Sequence, residues 1–300
     1  MKYKIAFKLN CILIAFITFN LHLNSNPNAD NTNILTIATY NMEWLGDGIK
    51  DQKIRTNNEL TKIANMLSML NADIIGVQEI ENNDALKSIV SKMNGYKYYV
   101  CQFDKKSKQR LGIIYKNTIN VKNIKEYTPL LVPKFNITLR PGLVCNIEKN
   151  GTDFLCLFVH LKSTSRYDST TKMKETSREI RTQQNQLLSN FVDSINKINP
   201  KTKIILLGDF NDMPKRKMYN TMSSLINNSN IHFLTAEQKS CKYPNTYTID
   251  HIIVNTSAKE KYIEGSLFQL NIFNMFNKEE VKKISDHCPV LVKFDVSKKK

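Results

Sequence analysis

Residues 154–159 read Phe-Leu-Cys-Leu-Phe-Val, six apolar side chains without interruption. A strand presents alternate side chains to opposite faces, so such a run leaves no face for water. Ile204-Ile205-Leu206-Leu207 and the centre of the stretch from Asp73 to Gln78 are apolar in the same way. Strands of this kind need cover on both sides, and the chain supplies amphipathic helices to provide it. Leu60, Ile63, Ala64, Leu67 and Leu70 recur at helical spacing, as do Leu86, Ile89, Val90 and Met93 ahead of Gly95. The expected architecture is a layered α/β sandwich: two sheets packed together, with helices over their outer faces.

The other elements follow along the chain. Residues 34–40 are apolar and β-branched, a strand ending at Asn41-Met42-Glu43-Trp44. Strand-like runs at Tyr98 to Phe103, Leu111 to Tyr115, Leu143 to Ile147 and Phe154 to Leu161 imply mostly antiparallel sheet. A helix carrying Ile180, Leu187, Leu188, Phe191, Ile195 and Ile198 leads to a strand at Lys203 to Leu207, and a short helix is expected between Pro214 and Ile226. Strands at Thr246 to Val254, Tyr262 to Leu270 and Pro289 to Phe294 complete the chain. Asn150-Gly151 is a type I′ hairpin signal, and counting outward from it sets Cys145 opposite Cys156. That count makes them a hydrogen-bonded pair, whose wider Cα spacing is the less favourable one for a bridge. Two packed thiols are therefore the preferred state and a disulfide the alternative.

Three hundred residues can bury a sizeable core without covalent staples. The basic start, Met1 to Lys8, and the apolar run Cys11 to Phe19 fit an export signal, because the run stops well short of the ~20 residues that span a membrane. We expect a signal peptide over residues 1–25, a polar linker over 26–33, one domain over 34–296 and a basic tail over 297–300, hence a secreted or periplasmic protein. The formal charge of +16 falls to +10 when Lys2, Lys4, Lys8 and Lys298 to Lys300 are set aside, leaving 37 basic against 27 acidic residues. That excess supports an anionic substrate. Of six cysteines, Cys11 lies in the signal, and the remaining five show no C-x-x-C spacing, so neither zinc nor a dense disulfide framework is indicated.

Six apolar runs break off in polar groups: Thr39-Tyr40-Asn41, Gly76-Val77-Gln78-Glu79, Val159-His160-Leu161, Gly208-Asp209-Phe210-Asn211-Asp212, Ile249-Asp250-His251 and Ser285-Asp286-His287-Cys288-Pro289. Together these side chains suit phosphate ester hydrolysis, which needs a deprotonated water near phosphorus, neutralised non-bridging oxygens and a stabilised leaving oxygen. Glu79, the Asn41 amide and Asp286 are hard oxygen ligands suited to Mg²⁺ or Mn²⁺, and no Cys/His cluster points to zinc. Asp250 can hold the His287 imidazole in one tautomer and make it more basic. His160 and Asn211 can donate to phosphate oxygens. His22, His232 and His251 read as packing or surface residues, Asp212 and Glu43 as supports or helix caps, and Cys288 as a small buried side chain.

In these motifs and their order the chain resembles the endonuclease/exonuclease/phosphatase superfamily, metal-dependent phosphodiesterases that include pancreatic deoxyribonuclease, over roughly residues 34–295. The resemblance implies a four-layered α/β sandwich, two packed mixed β-sheets flanked by helices, with the site at one end of the sheets. It implies that Asn41 and Glu79 are metal-site residues, that Asp286 is a further metal or supporting carboxylate, and that His160 contacts phosphate. Asp209 and Asn211 would form the central pair, and Asp250 and His287 the Asp-His couple. Arg140, in Leu139-Arg140-Pro141-Gly142, looks like the phosphate-contacting arginine of the deoxyribonuclease branch, and Arg110 is a further candidate. Apurinic endonucleases of this fold usually carry Asn at the place of His160 and work inside cells, so the pattern points to a secreted nuclease.

The expected function is thus a Mg²⁺- or Mn²⁺-dependent nuclease acting on DNA or RNA, monomeric and with no inferable protein partner. The alternative is a secreted sphingomyelinase or inositol-lipid phosphatase of the same fold acting on membrane lipid. For that alternative, Leu267 to Phe276 would touch the membrane rather than serve as a core strand and turn. A catalytically silent binding protein is disfavoured, having no reason to retain every one of these side chains.

Overall fold

The computed structural model describes residues 32–103, 109–135, 137–165 and 167–298. The expected signal peptide, the linker up to residue 31 and the last two residues of the tail lie outside the described residues. Two six-stranded sheets form the centre. The first has the order β11 (Phe268–Gln269), β12 (Val290–Asp295), β1 (Ile34–Leu45), β2 (Ile74–Ile80), β4 (Arg110–Lys116), β3 (Tyr96–Val100). The second runs β5 (Asn120–Tyr127), β6 (Gly142–Lys149), β7 (Thr152–His160), β8 (Lys203–Asp209), β10 (Asp250–Asn255), β9 (Ile231–Phe233). Both are mixed sheets, because β1 runs parallel to β2 and β7 parallel to β8, while the other pairs are antiparallel.

Strand alternation sorts the apolar runs into layers. In β8, Ile205 and Leu207 enter the core between the sheets, while Ile204 and Leu206 face outward onto Leu188 and Val192 of helix α3 (Thr171–Ile198) and Leu225 of α4 (Ser223–Ile226). In β1, Leu35 and Ile37 face the second sheet, and Ala38 and Tyr40 pack under α1 (Asn57–Met69) and α2 (Asn83–Val90). Phe154 of β7 meets Phe294 of β12 across the interface, ring centroids 5.3 Å apart. Gly76 belongs to this close approach, since a Cβ there would fall 2.3 Å from the Phe158 ring. The result is the four-layered sandwich, helix over sheet over sheet over helix.

Direction and register then gather the polar strand ends. The carboxyl ends of β1, β2, β7 and β8 lie together, and the antiparallel partners β10 and β12 begin where these end. Asp209 pairs in register with His160 on one side and Asp250 on the other. At the opposite pole the buried Asp73 carboxylate ties the sheets: it accepts from Lys149 at 2.9 Å and from the Thr36 amide at 2.8 Å.

Several elements differ from the sequence reading. The expected strand Thr246 to Val254 begins only at Asp250, and of Tyr262 to Leu270 only Phe268–Gln269 and an isolated bridge from Tyr262 to Phe294 are strand. The expected helix between Pro214 and Ile226 shrinks to Ser223–Ile226, because Asp212 organises residues 212–221 as a loop, accepting from the Thr221 amide at 2.9 Å and pairing with Arg216. β5 is an edge strand too polar and too bulged to show alternation, and α7 (Lys278–Ile284) buries only Val281 and Ile284. Cys145 and Cys156 stand opposite each other as free buried thiols. Cys288, by contrast, is half of a disulfide with Cys241, 47 positions away, which corrects its reading as an unpaired small side chain.

His251 faces the helical side of β10 and is structural. Its ring lies edge-on to Phe210 and Phe233, Nδ1 accepts from Thr235 Oγ1 at 2.9 Å, and Nε2–H donates to the Asp212 carbonyl at 3.0 Å. Burial lowers its pKa from 6.5 to about 4, although the Asp212 carbonyl opposes the shift. A histidine depressed in the folded state binds fewer protons than in the unfolded chain, so its contribution is complete above pH 6.5 and is lost as pH falls towards 4. Between pH 7 and pH 5 this group should cost about 2 kcal/mol of stability. Urea unfolding of wild type and His251→Gln across that range should show the steeper decline in wild type, and equal slopes would refute the assignment.

Candidate active site

The central group is Asp209, 2% exposed at the end of β8 on the face that carries Ile205 and Leu207. The preceding Gly208 has φ +143°, and a Cβ there would lie 1.9 Å from the Val159 carbonyl oxygen, so only glycine lets the strand turn here beside β7. Asp209 Oδ2 accepts from Asn41 Nδ2 at 3.1 Å and lies 3.6 Å from His160 Nε2 and 4.0 Å from His287 Nε2. Its Oδ1 accepts from the Asn211 amide at 2.8 Å. Four of the expected residues, Asn41, His160, Asn211 and His287, therefore surround one carboxylate.

Glu79 reaches the same point through a backbone kink. Its φ is +63°, and the β1·β2 register shifts beside it, where Glu43 and Trp44 also have positive φ. Glu79 Oε1 meets Asn41 Nδ2 at 3.3 Å, and Oε2 accepts from the Trp44 amide at 3.1 Å. Asn211, at φ +53°, completes four non-glycine residues in this region around the site, each costing on the order of 1 kcal/mol in backbone strain. Asn41 turns its amide nitrogen to the two carboxylates, while its oxygen accepts from the Glu43 amide at 2.9 Å. As placed, it holds Glu79 and Asp209 together, and ligating a cation through oxygen requires the amide to turn over.

The two histidines differ in charge. His287 Nδ1 lies 2.8 Å from Asp250 Oδ2. Burial disfavours its charge, but Asp250, with Asp209 and Asp286 adding, outweighs burial and holds its pKa well above 6.5. His160 goes the other way, held well below 6.5 by burial, by Arg140 and by His287. Arg140 Nη1 donates to His160 Nδ1 at 3.3 Å, which leaves the proton of the neutral ring on Nε2, the atom that faces Glu79 and Asp209. Arg140 is thus behind His160. Arg110, buried at the start of β4, lines a small recess with Arg140, Leu139 and Pro141. Asn211 Nδ2 donates to the Leu161 carbonyl at 3.1 Å, fixing the β8 turn to the end of β7.

Three supporting residues add to the expected set. Ser285 accepts from the His287 amide at 3.0 Å and donates to the Asn41 carbonyl at 2.8 Å. Arg55 donates to the carbonyls of Met42, Glu43, Trp44, Lys283 and Ile284, binding the kinked end of β1 to the end of α7. Lys242 pairs with Asp286 Oδ2 at 3.1 Å. Ser285 belongs to the motif of His287 without a role of its own being legible there, and a lone Arg or Lys in a loop forms no pattern that marks it.

The donor set fits a hard divalent cation. Glu79, Asp209, Asp250 and Asp286 are oxygen donors crowded at one end of the sandwich, and ligand atoms of Asp209, Asp250 and His287 lie within 4.8 Å of one another. Asp209 is pushed up to about 7, by burial first and by Asp250 next, against the pull of His287. Added positive charge is what such a cluster favours.

A family model described as the Endonuclease/Exonuclease/phosphatase family matches residues 36–235. No curated protein matches the chain by sequence. Among solved structures, TDP2 of Caenorhabditis elegans is similar with TM-score 0.61 and 15% identity, over 87% of this chain and 75% of that one. TDP2 of D. rerio, complexed with single-strand DNA product, gives 0.60 and 14% over 87% and 99%. The mannosyl-6-phosphatase of Bacteroides thetaiotaomicron gives 0.57 and 18% over 86% and 98%. At these identities the structural likeness is one of fold.

The charge assignment is open to direct measurement. In an NMR titration the His287 ring should still be protonated at pH values where free histidine is neutral, and Asp250→Asn should lower its midpoint. A wild-type midpoint at or below 6.5 would refute the couple.

Proposed function

Since the chain belongs to the endonuclease/exonuclease/phosphatase family, we propose that it is an exported, divalent-metal-dependent phosphodiesterase that cleaves DNA or RNA by attack of an activated water on phosphorus. The observation that carries this reading is the convergence of Asn41, Glu79, His160, Asp250 and His287 on Asp209 at the open end of the sandwich. With a pKa of about 7, Asp209 is poised at neutral pH to take a proton from a water near phosphorus. His287, charged through its contact with Asp250, can donate from Nε2 to a phosphate oxygen as negative charge develops. The neutral His160 offers an Nε2–H donor whose direction Arg140 fixes. Mg²⁺ or Mn²⁺ held by Glu79 with Asp286 would supply a Lewis acid for a non-bridging oxygen.

The fold accommodates both a DNA strand, as in D. rerio TDP2, and a sugar phosphate, as the Bacteroides mannosyl-6-phosphatase is named. The basic excess supports the polyanion. In the segment Leu267 to Phe276, on which the lipid alternative rests, Ile272 is buried and Leu270, Phe273 and Phe276 pack against the core under the first sheet, which leaves Phe268 and Met275 as its exposed large apolar side chains. The Cys241–Cys288 bond fits export to an oxidising compartment, as does the basic and apolar amino terminus.

Activity on DNA or RNA should vanish on exhaustive chelation and return with Mg²⁺ or Mn²⁺. Asp209→Asn and His160→Ala should each lower kcat by roughly 10²-fold to 10⁴-fold, and His251→Gln far less. A digestion panel of DNA, RNA, sphingomyelin and inositol phosphates decides the substrate. Turnover of sphingomyelin with no nucleic acid cleavage would overturn the reading, as would full activity in chelator.

A further inference from the structure

The catalytic assignment uses no side chain from residues 239–247, yet this segment forms one wall of the site. It folds on itself as a small hairpin: Lys239 bridges to Tyr247, the Ser240 amide donates to the Thr246 carbonyl at 3.0 Å, and the Thr246 amide to the Tyr243 carbonyl at 2.8 Å. Two consecutive residues latch it to either side of His287. Cys241 is bonded to Cys288, with Cα atoms 6.3 Å apart, and the Lys242 ammonium lies 3.1 Å from Asp286 Oδ2. The other Asp286 oxygen is 3.7 Å from His287 Nε2, so the ammonium and the imidazolium flank the same carboxylate. Between hairpin and couple lies a recess of about 360 Å³, lined by Lys242, Tyr243, Thr246, Tyr247, Asp250 and His287.

The ion pair does not account for this construction. The side chains of Lys242 and Asp286 are 32% and 40% exposed, and such pairs contribute about 0–1 kcal/mol, too little to hold a loop in place. The covalent tie does hold it, and what it delivers to the space beside His287 is an ammonium group with donors to spare. A phosphate, with several anionic oxygens, is a better partner for that ammonium than one half-exposed carboxylate. The recess behind it has room for a single sugar- or nucleoside-sized group esterified to that phosphate.

We propose that Lys242 is a substrate-binding residue that donates to a phosphate oxygen beside His287, and that the Cys241–Cys288 disulfide is the positioning device that keeps it there. The inference rests on the phosphate ester reading of the site given above. It concerns a residue outside every motif that carries that reading.

The test compares Lys242→Ala, Lys242→Arg, the Cys241→Ser/Cys288→Ser pair, and that pair combined with Lys242→Ala. Two readouts serve: calorimetric binding of inorganic phosphate in Mg²⁺ buffer, and hydrolysis of bis(p-nitrophenyl) phosphate. Lys242→Ala should weaken phosphate binding about tenfold or more and raise KM with kcat little changed, and Lys242→Arg should recover much of the loss. The cysteine pair should reproduce the loss in otherwise wild-type protein and add little to Lys242→Ala, as two changes acting through one contact do. Unchanged phosphate binding in Lys242→Ala would overturn the proposal. So would a cysteine effect of equal size in both backgrounds, which would mean that the disulfide acts through His287. Wild-type protein that binds phosphate but cleaves no nucleic acid would overturn the nuclease reading and leave this one standing, whereas wild-type protein that cleaves nucleic acid but binds no phosphate would overturn this one and leave the nuclease reading standing.

Discussion

Asp209 is a carboxylate at the end of a buried strand, and most of the site can be understood as the consequence of keeping it there. Burial opposes its ionisation, and the neighbouring Asp250 adds to the opposition. The cost of a buried charge falls only if hydrogen bonds and opposite charges surround it. Asn41, the Asn211 amide and the His287 imidazolium provide them. The same surroundings separate the two histidines: carboxylates hold His287 charged, while burial and Arg140 keep His160 neutral. Groups of opposed protonation state within one small volume are a usual requirement of acid-base work near neutral pH.

Holding these groups in place takes rigid material around them. The inter-sheet core fixes the strands, and the Asp73 contacts with Lys149 and Thr36 fasten the far pole. Nearer the site, Arg55 gathers five carbonyls from two chain segments, and Ser285 joins the end of β1 to the His287 turn. The positive φ values at Glu43, Trp44, Glu79 and Asn211 persist because these bonds over-determine the backbone. Glu79 shows the function of the strain: in regular alternation it would share the face of Ile75 and Val77, under the helices, and the kink turns it to Asn41 instead.

The sequence by itself determined the layers, since runs apolar on both faces admit few arrangements other than two packed sheets under helices. It also marked the residues that converge, because Asn41, Glu79, His160, Asp209, Asp250 and His287 each end or begin an apolar run. The Cys145 and Cys156 pairing was legible too, as hairpin register is a local property. Elements without a periodic signal were not legible: the polar edge strand β5, the loop at 246–249 and the mostly exposed α7.

Only the tertiary structure decided what depends on contacts between distant segments. That of two histidines of similar sequence setting one is charged and the other neutral follows from Asp250 facing His287, and from burial and the neighbouring Arg140 acting on His160. That Arg140 stands behind His160, that Asp286 pairs with Lys242 and that Cys241 reaches Cys288 across 47 positions are facts of the same kind. A strand pattern is written in neighbours two residues apart, whereas a pKa or a disulfide is fixed by whichever groups the completed fold brings within a few ångströms.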